Sequence, residues 1–339
     1  MTVTIKEVAL RAGVSITTVS RVLNEKLEGV GKETRVKVLQ VMKEMDYQPN
    51  SVARSMITKR TGTIGLIIPD ITNPFFPELA RGVEDGLEAT GMNLILSNTD
   101  GDLSKEQKVV RFLAQKSVDG YIVTSPNTVE DNNIFQELYS KGIPVVFIER
   151  YQEGRCDIPS VYFQNEEGAR LATKHLIEIG HRKIACVTGP LSTTNAQLRL
   201  KGFRSECAKA GIEIPEEWIG HGNYKIDGGY QAAKQLLTHY KHEITAIFAS
   251  NDLMAFGALK AAKEAGLNVP GDLAICGFDN IYLSEMVEPC LTTIDVPGYS
   301  LGNAAAKMLT AMIMGKEIIQ QNISFAPQLV IRKSSLRKD

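Results

Sequence analysis

The stretch TIKEVALRAGVSITTVSRVLN, residues 4–24, decides how the amino-terminal part of this chain folds. Ile5, Val8, Ala9 and Ala12 recur at i, i+3, i+4 and i+7, the spacing that gathers apolar side chains on one helix face. Gly13 follows as a helix stop. Ser15 stands where a side-chain oxygen can cap a new helix. That second helix is expected from about Ile16 to Leu23, burying Val19, Val22 and Leu23 and exposing Thr17, Thr18, Ser20 and Arg21. A third is expected from about Lys32 to Met45, with Val38, Val41, Met42 and Met45 again on one face. Two short helices around a Gly turn, followed by a longer one, form a helix-turn-helix. A face of short hydroxyls with one Arg suits the major groove of DNA, where Arg can pair bidentately with guanine.

Charge follows the same division. Eleven of the 38 Lys and Arg residues and six of the 39 Asp and Glu residues fall in residues 1–60, so that segment carries +5 and the remainder −6. A basic head on a mildly acidic body fits a head that meets a polyanion. Just beyond it, Pro49 can open a helical turn. Asn50 to Met56 is too short to hold a helix alone, since isolated helices under about 12 residues are marginal in water. That segment orders only against something else.

From Thr63 onward, short apolar runs alternate with helical stretches. The runs are IGLIIPD (64–70), LILSNTD (94–100), YIVTSPN (121–127), PVVFIER (144–150), KIACVTGP (183–190), AIFASND (246–252) and LAICGFDN (273–280), with a weaker strand at Ser160–Phe163. Near-continuous apolar strands separated by helices imply parallel sheets covered on both faces. Four runs precede residue 160 and three follow it, which predicts two similar lobes. Each run ends in polar residues, and in open α/β sheets a ligand sits beyond the carboxyl ends of the strands. Aromatics and hydrogen-bonding groups gather there: Phe75 and Phe76 after the first run, Glu149 and Arg150 at the fourth, Asn251 at AIFASND and Asp279 at AICGFDN. Aromatic faces and a ring of carboxylate, amide and guanidinium groups are what a sugar ring requires, because each buried hydroxyl must be satisfied.

These residues carry a resemblance that covers essentially the whole chain. TIKEVALRAGVSITTVSRVLN is similar to the amino-terminal signature of the lactose-repressor (LacI/GalR) family of bacterial transcription regulators, and YQPNSVARSM (47–56) to that family's hinge segment. The loop from Asn24 to Thr34 departs from the pattern by about one extra residue around Leu27–Gly29. The resemblance implies an all-α helix-turn-helix head with a hinge helix, and an α/β two-lobed effector domain like the periplasmic sugar-binding proteins. It implies a homodimer on a pseudo-palindromic operator in double-stranded DNA, with paired hinge helices in the minor groove. There the residue at Met56, usually Leu in the family, wedges into the central base step. The residues expected to contact DNA are Ser15, Ile16, Thr17, Thr18, Ser20, Arg21, Asn24, Tyr47, Asn50, Ala53 and Met56.

Among members of the family, the motifs most resemble ribose-type repressors. The matching effector positions are Asn73, Phe75, Phe76, Arg150, Arg199, Asn251 and Asp279, with Glu149 beside them and Tyr224 where an aromatic is expected. Glu149 stands where those proteins usually carry Asp, and Val296 where they usually carry Gln. Both departures point to an altered hydroxyl pattern or a less polar ligand. The expected boundaries are 1–48 for the head, 49–60 for the hinge and 61–339 for the effector domain. Within the last, one lobe is expected at about 61–159 and 291–322, the other at about 160–290 and 323–339.

The expected function is repression controlled by a small molecule, a sugar such as ribose or a related pentose or hexose. Corepressor-dependent regulation and regulation by a phosphorylated carrier protein are the alternatives, and Glu288 disfavours the second because a phosphoserine calls for a basic residue. No GxGxxG, GxxxxGK[ST], GxSxG or HExxH occurs, so no enzyme and no cofactor is expected. His239 and His242 can share a helix face, but no third ligand lies near, and no metal is expected. Five cysteines at 156, 186, 207, 276 and 290, none in a CxxC, suit a reducing compartment. No signal peptide and no apolar run of 18 residues is evident, so a cytoplasmic protein without a membrane anchor is expected. The ending RKSSLRKD carries no leucine heptad, so no tetramer-forming tail is expected.

Overall fold

The computed structural model describes residues 3–23, 28–48, 60–124, 134–149 and 157–336. The chain divides into two compact units, Met1–Thr61 and Gly62–Asp339.

In the first unit, α1 (Ile5–Ala12) opens with a reciprocal cap, in which Glu7 N–H donates to Thr4 Oγ1 and Thr4 N–H donates to the Glu7 carboxylate at 2.7 Å. Gly13 takes the left-handed conformation at φ 67°, which a residue without Cβ adopts at little cost, and turns the chain out of α1. Ser15 Oγ then accepts from Thr18 N–H at 3.1 Å and starts α2 (Ile16–Leu23). The third helix, α3 (Lys32–Glu44), stops one residue before Met45. Val8, Ala9, Ala12, Val19, Val22, Val38 and Val41 form the buried core, one apolar face from each helix.

The second unit has two parallel sheets. The first contains β1 (Thr63–Ile68), β2 (Asn93–Asn98), β3 (Gly120–Val123), β4 (Val145–Ile148) and β5 (Ser160–Phe163), joined by α4 (Phe75–Leu87), α5 (Leu103–Gln115) and α6 (Ile134–Ser140). The second contains β6 (Ile184–Thr188), β7 (Ile219–His221), β8 (Ala246–Ala249) and β9 (Ala274–Cys276). Its helices are α7 (Asn165–Glu178), α8 (Thr194–Lys209), α9 (Ile226–Tyr240) and α10 (Asp252–Glu264). The chain then runs through β10 (Thr293–Asp295), α11 (Gly298–Ile313), β11 (Asn322–Phe325) and β12 (Gln328–Val330). The spatial orders are β11-β5-β4-β3-β1-β2 and β7-β6-β8-β9. Strands β1, β3, β4, β6, β8 and β9 are buried along nearly their whole length, as continuous apolar runs require.

The lobe boundaries differ from those expected. Ser160–Phe163 pairs with β4 and so belongs to the first sheet instead of opening the second lobe. Asn322–Phe325 pairs with β5 and belongs there too, although residues from 323 were expected in the other lobe. Residues 291–295 lie with the second lobe, where Thr292 N–H donates to Ser334 Oγ at 2.8 Å and Ser334 Oγ donates to Ile275 O at 2.6 Å. The reason is pairing: a short strand's lobe is set by its partner, and partners are distant in sequence. Three crossovers link the lobes, at residues 163–165, around β10 and between β11 and β12. They are stitched together by the antiparallel β10–β12 pair and by Gln164 N–H donating to Phe325 O at 3.1 Å. One apolar cluster runs through both lobes, from Ile64 and Leu66 by way of Phe163 and Phe278 to Phe248.

Candidate functional site

In the head, the face of α2 away from Val19 and Val22 holds exposed Ser15, Ile16, Thr17 and Arg21, with Thr18 and Ser20 half-buried. Arg21 Nη1 donates to Glu28 O at 3.3 Å, which ties the guanidinium to the loop before α3. Tyr47 is half-buried against the head core, and desolvation pushes its hydroxyl pKa up. Asn24, Asn50, Ala53 and Met56, and with them residues 49–59 of the expected hinge at 49–60, lie outside the described residues.

The second site is a cleft between the two lobes of about 260 Å³, at the small end of ligand pockets. Its walls are strand ends. From the first lobe come Asp70, Asn73, Phe75 and Phe76 after β1, Asp100 after β2, Thr124 after β3 and Glu149 after β4. From the second come Thr193 and Asn195 before and in the first turn of α8, Arg199 one turn further on, Asn223, Tyr224 and Lys225 after β7, Asn251 after β8 and Asp279 after β9. The cleft therefore unites Asn73, Phe75, Phe76, Glu149, Arg199, Tyr224, Asn251 and Asp279; Arg150 lies outside the described residues. Val296 is buried in the apolar core and does not line the cleft.

The local backbone explains how these side chains face inward. Asp100, Glu149, Tyr224 and Asp279 all have positive φ, at 55°, 62°, 64° and 107°. Such strain at non-glycine residues persists only where surrounding contacts over-determine it, and it clusters at functional sites. Asn73 Oδ1 accepts from Phe75 N–H at 3.1 Å, which turns the chain into α4 and sets Phe75 and Phe76 edge to face at 5.2 Å. Asn251 caps α10 by accepting from Met254 N–H at 2.9 Å, and its amide donates to Tyr224 O at 3.0 Å, so it shapes the wall as well as lining it. The Tyr224 ring lies against Gly189, where a Cβ would meet the ring at 2.3 Å.

The charged groups form one buried assembly. Arg199 donates to Asn165 Oδ1 at 2.7 Å, Ser250 O at 2.6 Å and Asp279 Oδ1 at 3.3 Å, and its guanidinium lies 3.8 Å over the Phe278 ring centroid. Glu149 accepts from Phe163 N–H at 2.5 Å, Asn165 Nδ2 at 2.7 Å and Asn195 Nδ2 at 3.4 Å. Burial pushes the Glu149 carboxyl up, partly offset by Asn165 and Arg199. Burial likewise pushes Asp279 up against the pull of Arg199. At the mouth, Lys225 Nζ reaches across to Asp70 Oδ2 at 4.0 Å.

Sequence reasoning missed Asp70, Asp100, Thr124, Thr193, Asn195, Asn223 and Lys225. Asp70 and Asp100 end two of the quoted apolar runs, so the strand-end rule applied evenly would have found them. Tyr224, Lys225 and Asn223 follow β7, a three-residue strand with no apolar run to announce it. His239 lies in the last turn of α9, but His242 lies beyond its end, so the two do not share a helix face as expected. Among the described residues no group of three or more His, Cys, Asp or Glu could hold a metal ion, and no helix is long and apolar enough to cross a membrane.

Residues 4–50 match the model of the bacterial regulatory proteins of the lacI family, and residues 61–330 match that of the periplasmic binding proteins and sugar binding domain of the LacI family. The chain is 42% identical to the ribose operon repressor of Halalkalibacterium halodurans, over 98% of this chain and 97% of that protein. The lac repressor dimer bound to operator and the anti-inducer ONPF superposes with a TM-score of 0.89 at 30% identity, covering 99% of this chain and all of that one. A LacI family transcriptional regulator from Enterococcus faecium with bound ribose superposes at 0.71 and 33% identity, covering 80% of this chain and 98% of that one.

Proposed function

Because the chain belongs to the LacI family of bacterial regulatory proteins, we propose that it represses transcription as an operator-bound dimer whose hold on DNA is set by a neutral sugar in the interlobe cleft. The relatives are transcriptional regulators, and one is a ribose operon repressor. The observation that carries the ligand class is the charge of the cleft. Four carboxyl groups, Asp70, Asp100, Glu149 and Asp279, line the cleft with two cations, Arg199 and Lys225, while Lys105 pairs with Asp100. A phosphorylated or carboxylated ligand would set its charge against carboxyl groups on both walls. A neutral polyol instead supplies hydroxyl donors to those carboxylates and a CH face to Phe75, Phe76 and Tyr224. The E. faecium regulator with bound ribose supports a ligand of pentose size.

In the head, Ser15, Ile16, Thr17, Thr18, Ser20 and Arg21 face the major groove, and Asn24, Tyr47, Asn50, Ala53 and Met56 complete the DNA contacts. The sugar acts through its different affinity for two states of the effector domain, one of which favours the operator-bound form. A protein with this task works where the chromosome is, in the cytoplasm. Thermal unfolding of the full chain with D-ribose, other pentoses, hexoses, ribose 5-phosphate and purines tests the reading. A neutral sugar at 100 times its dissociation constant adds about 2.7 kcal/mol, and it changes operator affinity in a gel-shift titration. Stabilisation by a phosphate ester or a purine, with none by any sugar, overturns it. Replacing Met56 with Ala weakens operator binding and leaves sugar affinity unchanged; equal operator binding removes Met56 from the interface.

A further inference from the structure

Asn165 does not line the cleft, yet it touches a charged residue of each wall. It is the first residue of α7, immediately past the crossover that leaves β5, and it is 3% exposed. Its Oδ1 accepts from Arg199 Nε at 2.7 Å, and its Nδ2 donates to Glu149 Oε2 at 2.7 Å and to Phe163 O at 3.3 Å. Glu149 belongs to the first lobe and Arg199 to the second. We propose that Asn165 is a positioning residue that ties the first lobe's carboxylate to the second lobe's guanidinium and so fixes the placement of both charged groups at the sugar site. This rests on the sugar-site reading above and adds the link between the lobes.

The chemistry singles out an amide. A guanidinium only donates and an ionised carboxylate only accepts, so a residue between them must accept on one side and donate on the other. Aspartate has the shape but presents an acceptor to Glu149. Leucine has similar bulk but would leave two buried polar partners without hydrogen bonds. The longer side chain of Glu149 also finds its use here. One oxygen accepts from Phe163 N–H while the other reaches Asn165, so both are held at the crossover. Asn195, from α8, adds a longer contact to Glu149 at 3.4 Å. Arg199 is fixed from its other sides by Ser250 O, Asp279 and the Phe278 ring, leaving Nε for Asn165.

The test is a double-mutant cycle in the full-length protein with Asn165→Asp, Glu149→Gln and both together. Asn165→Asp sets two carboxylates against each other. Glu149→Gln sets an amide N–H against the Asn165 N–H. Together the new amide donates to the new carboxylate, which still accepts from Arg199, so the bridge returns with reversed polarity. Each single variant lowers the melting temperature without ligand, and the double variant recovers most of the loss. D-ribose, measured by calorimetry under conditions where all four proteins are folded, binds about tenfold or more weakly to Asn165→Asp. The double variant binds it more tightly than Asn165→Asp alone. Additive losses in melting temperature, with no recovery in the double variant, overturn the assignment of Asn165. If the parent protein does not bind ribose but the cycle shows recovery, the bridge stands and the ribose-sized sugar reading falls.

Discussion

The proposed DNA-reading face of the head spans seven residues, Ser15 to Arg21, along one turn and one helix, whereas the effector cleft draws its walls from positions 69 to 279. The head exposes its functional side chains on a small core of valines and alanines, and among them only Arg21 carries charge. The cleft does the opposite. Arg199 and Asp279 are 5% and 8% exposed, and with Asn165 and Ser250 they join four separate segments. The contrast separates function from stability in the head and joins them in the cleft. An exposed groove-reading side chain can be changed without disturbing the core, while a buried charge cannot lose a partner without cost to the whole domain.

The largest effect expected from that contrast is at Arg199. Arg199→Ala leaves Asp279 and the Asn165 amide without their cation and costs about 3–5 kcal/mol of stability. It also weakens sugar binding about a hundredfold or more, measured by calorimetry. A variant of normal melting temperature would show that the cleft's charges are not the stability element described here.

Next comes Asp252, the first residue of α10, which accepts from Thr293 Oγ1 at 2.5 Å, Ser284 Oγ at 2.7 Å and Ile281 N–H at 2.9 Å. Burial pushes its carboxyl from 3.8 up to about 6, against the pull of those hydrogen bonds. The folded state therefore binds this proton more tightly than the unfolded chain. The stability from that proton is fully present below about pH 4 and is lost as pH rises through about 6. Asp252→Asn, neutral throughout, flattens the pH dependence of the melting temperature over this window by an amount equivalent to about 2–3 kcal/mol. Glu149 and Asp279, raised in the same direction, keep a remaining slope. Parallel profiles for variant and parent would refute the assignment.

In the head, Arg21→Ala weakens operator binding by about 1–3 kcal/mol and relaxes base preference at one position, with the melting temperature unchanged. A fall in stability of that size would erase the contrast between the two regions. The smallest effect is at the mouth of the cleft. Lys225 is mostly exposed, and its contact with Asp70 at 4.0 Å is a surface ion pair worth about 0–1 kcal/mol. Lys225→Gln therefore changes sugar affinity by less than about fivefold and reduces its dependence on salt. A larger loss would move Lys225 from the rim into the binding set.

The same contrast governs what could be read in advance. The head was legible almost to the residue, because the Gly13 stop, the Ser15 cap and the 3.6-residue spacing all act within one or two turns. Strands β1, β2, β3, β4, β6, β8 and β9 were legible as apolar runs, and the rule that ligands meet strand ends, together with the family resemblance, brought eight lining residues into view. The brief strands β7, β10, β11 and β12 were not, since three or four residues carry too little pattern. With them went Lys225 and the lobe assignments of Ser160–Phe163 and Asn322–Phe325.

By itself the amino-acid sequence determined the helix-turn-helix, the alternation of strand and helix, and the residue types from which a sugar site can be made. These follow from local propensity, capping and periodicity, which need no knowledge of distant neighbours. Only the tertiary structure decided which lobe owns Ser160–Phe163 and Asn322–Phe325, and that Val296 is core. Only it placed Asn165, unremarkable in sequence, between Glu149 and Arg199. Those outcomes depend on pairing and burial between residues far apart in the chain, where a hydrogen bond or a contact exists only after the whole domain has closed around it.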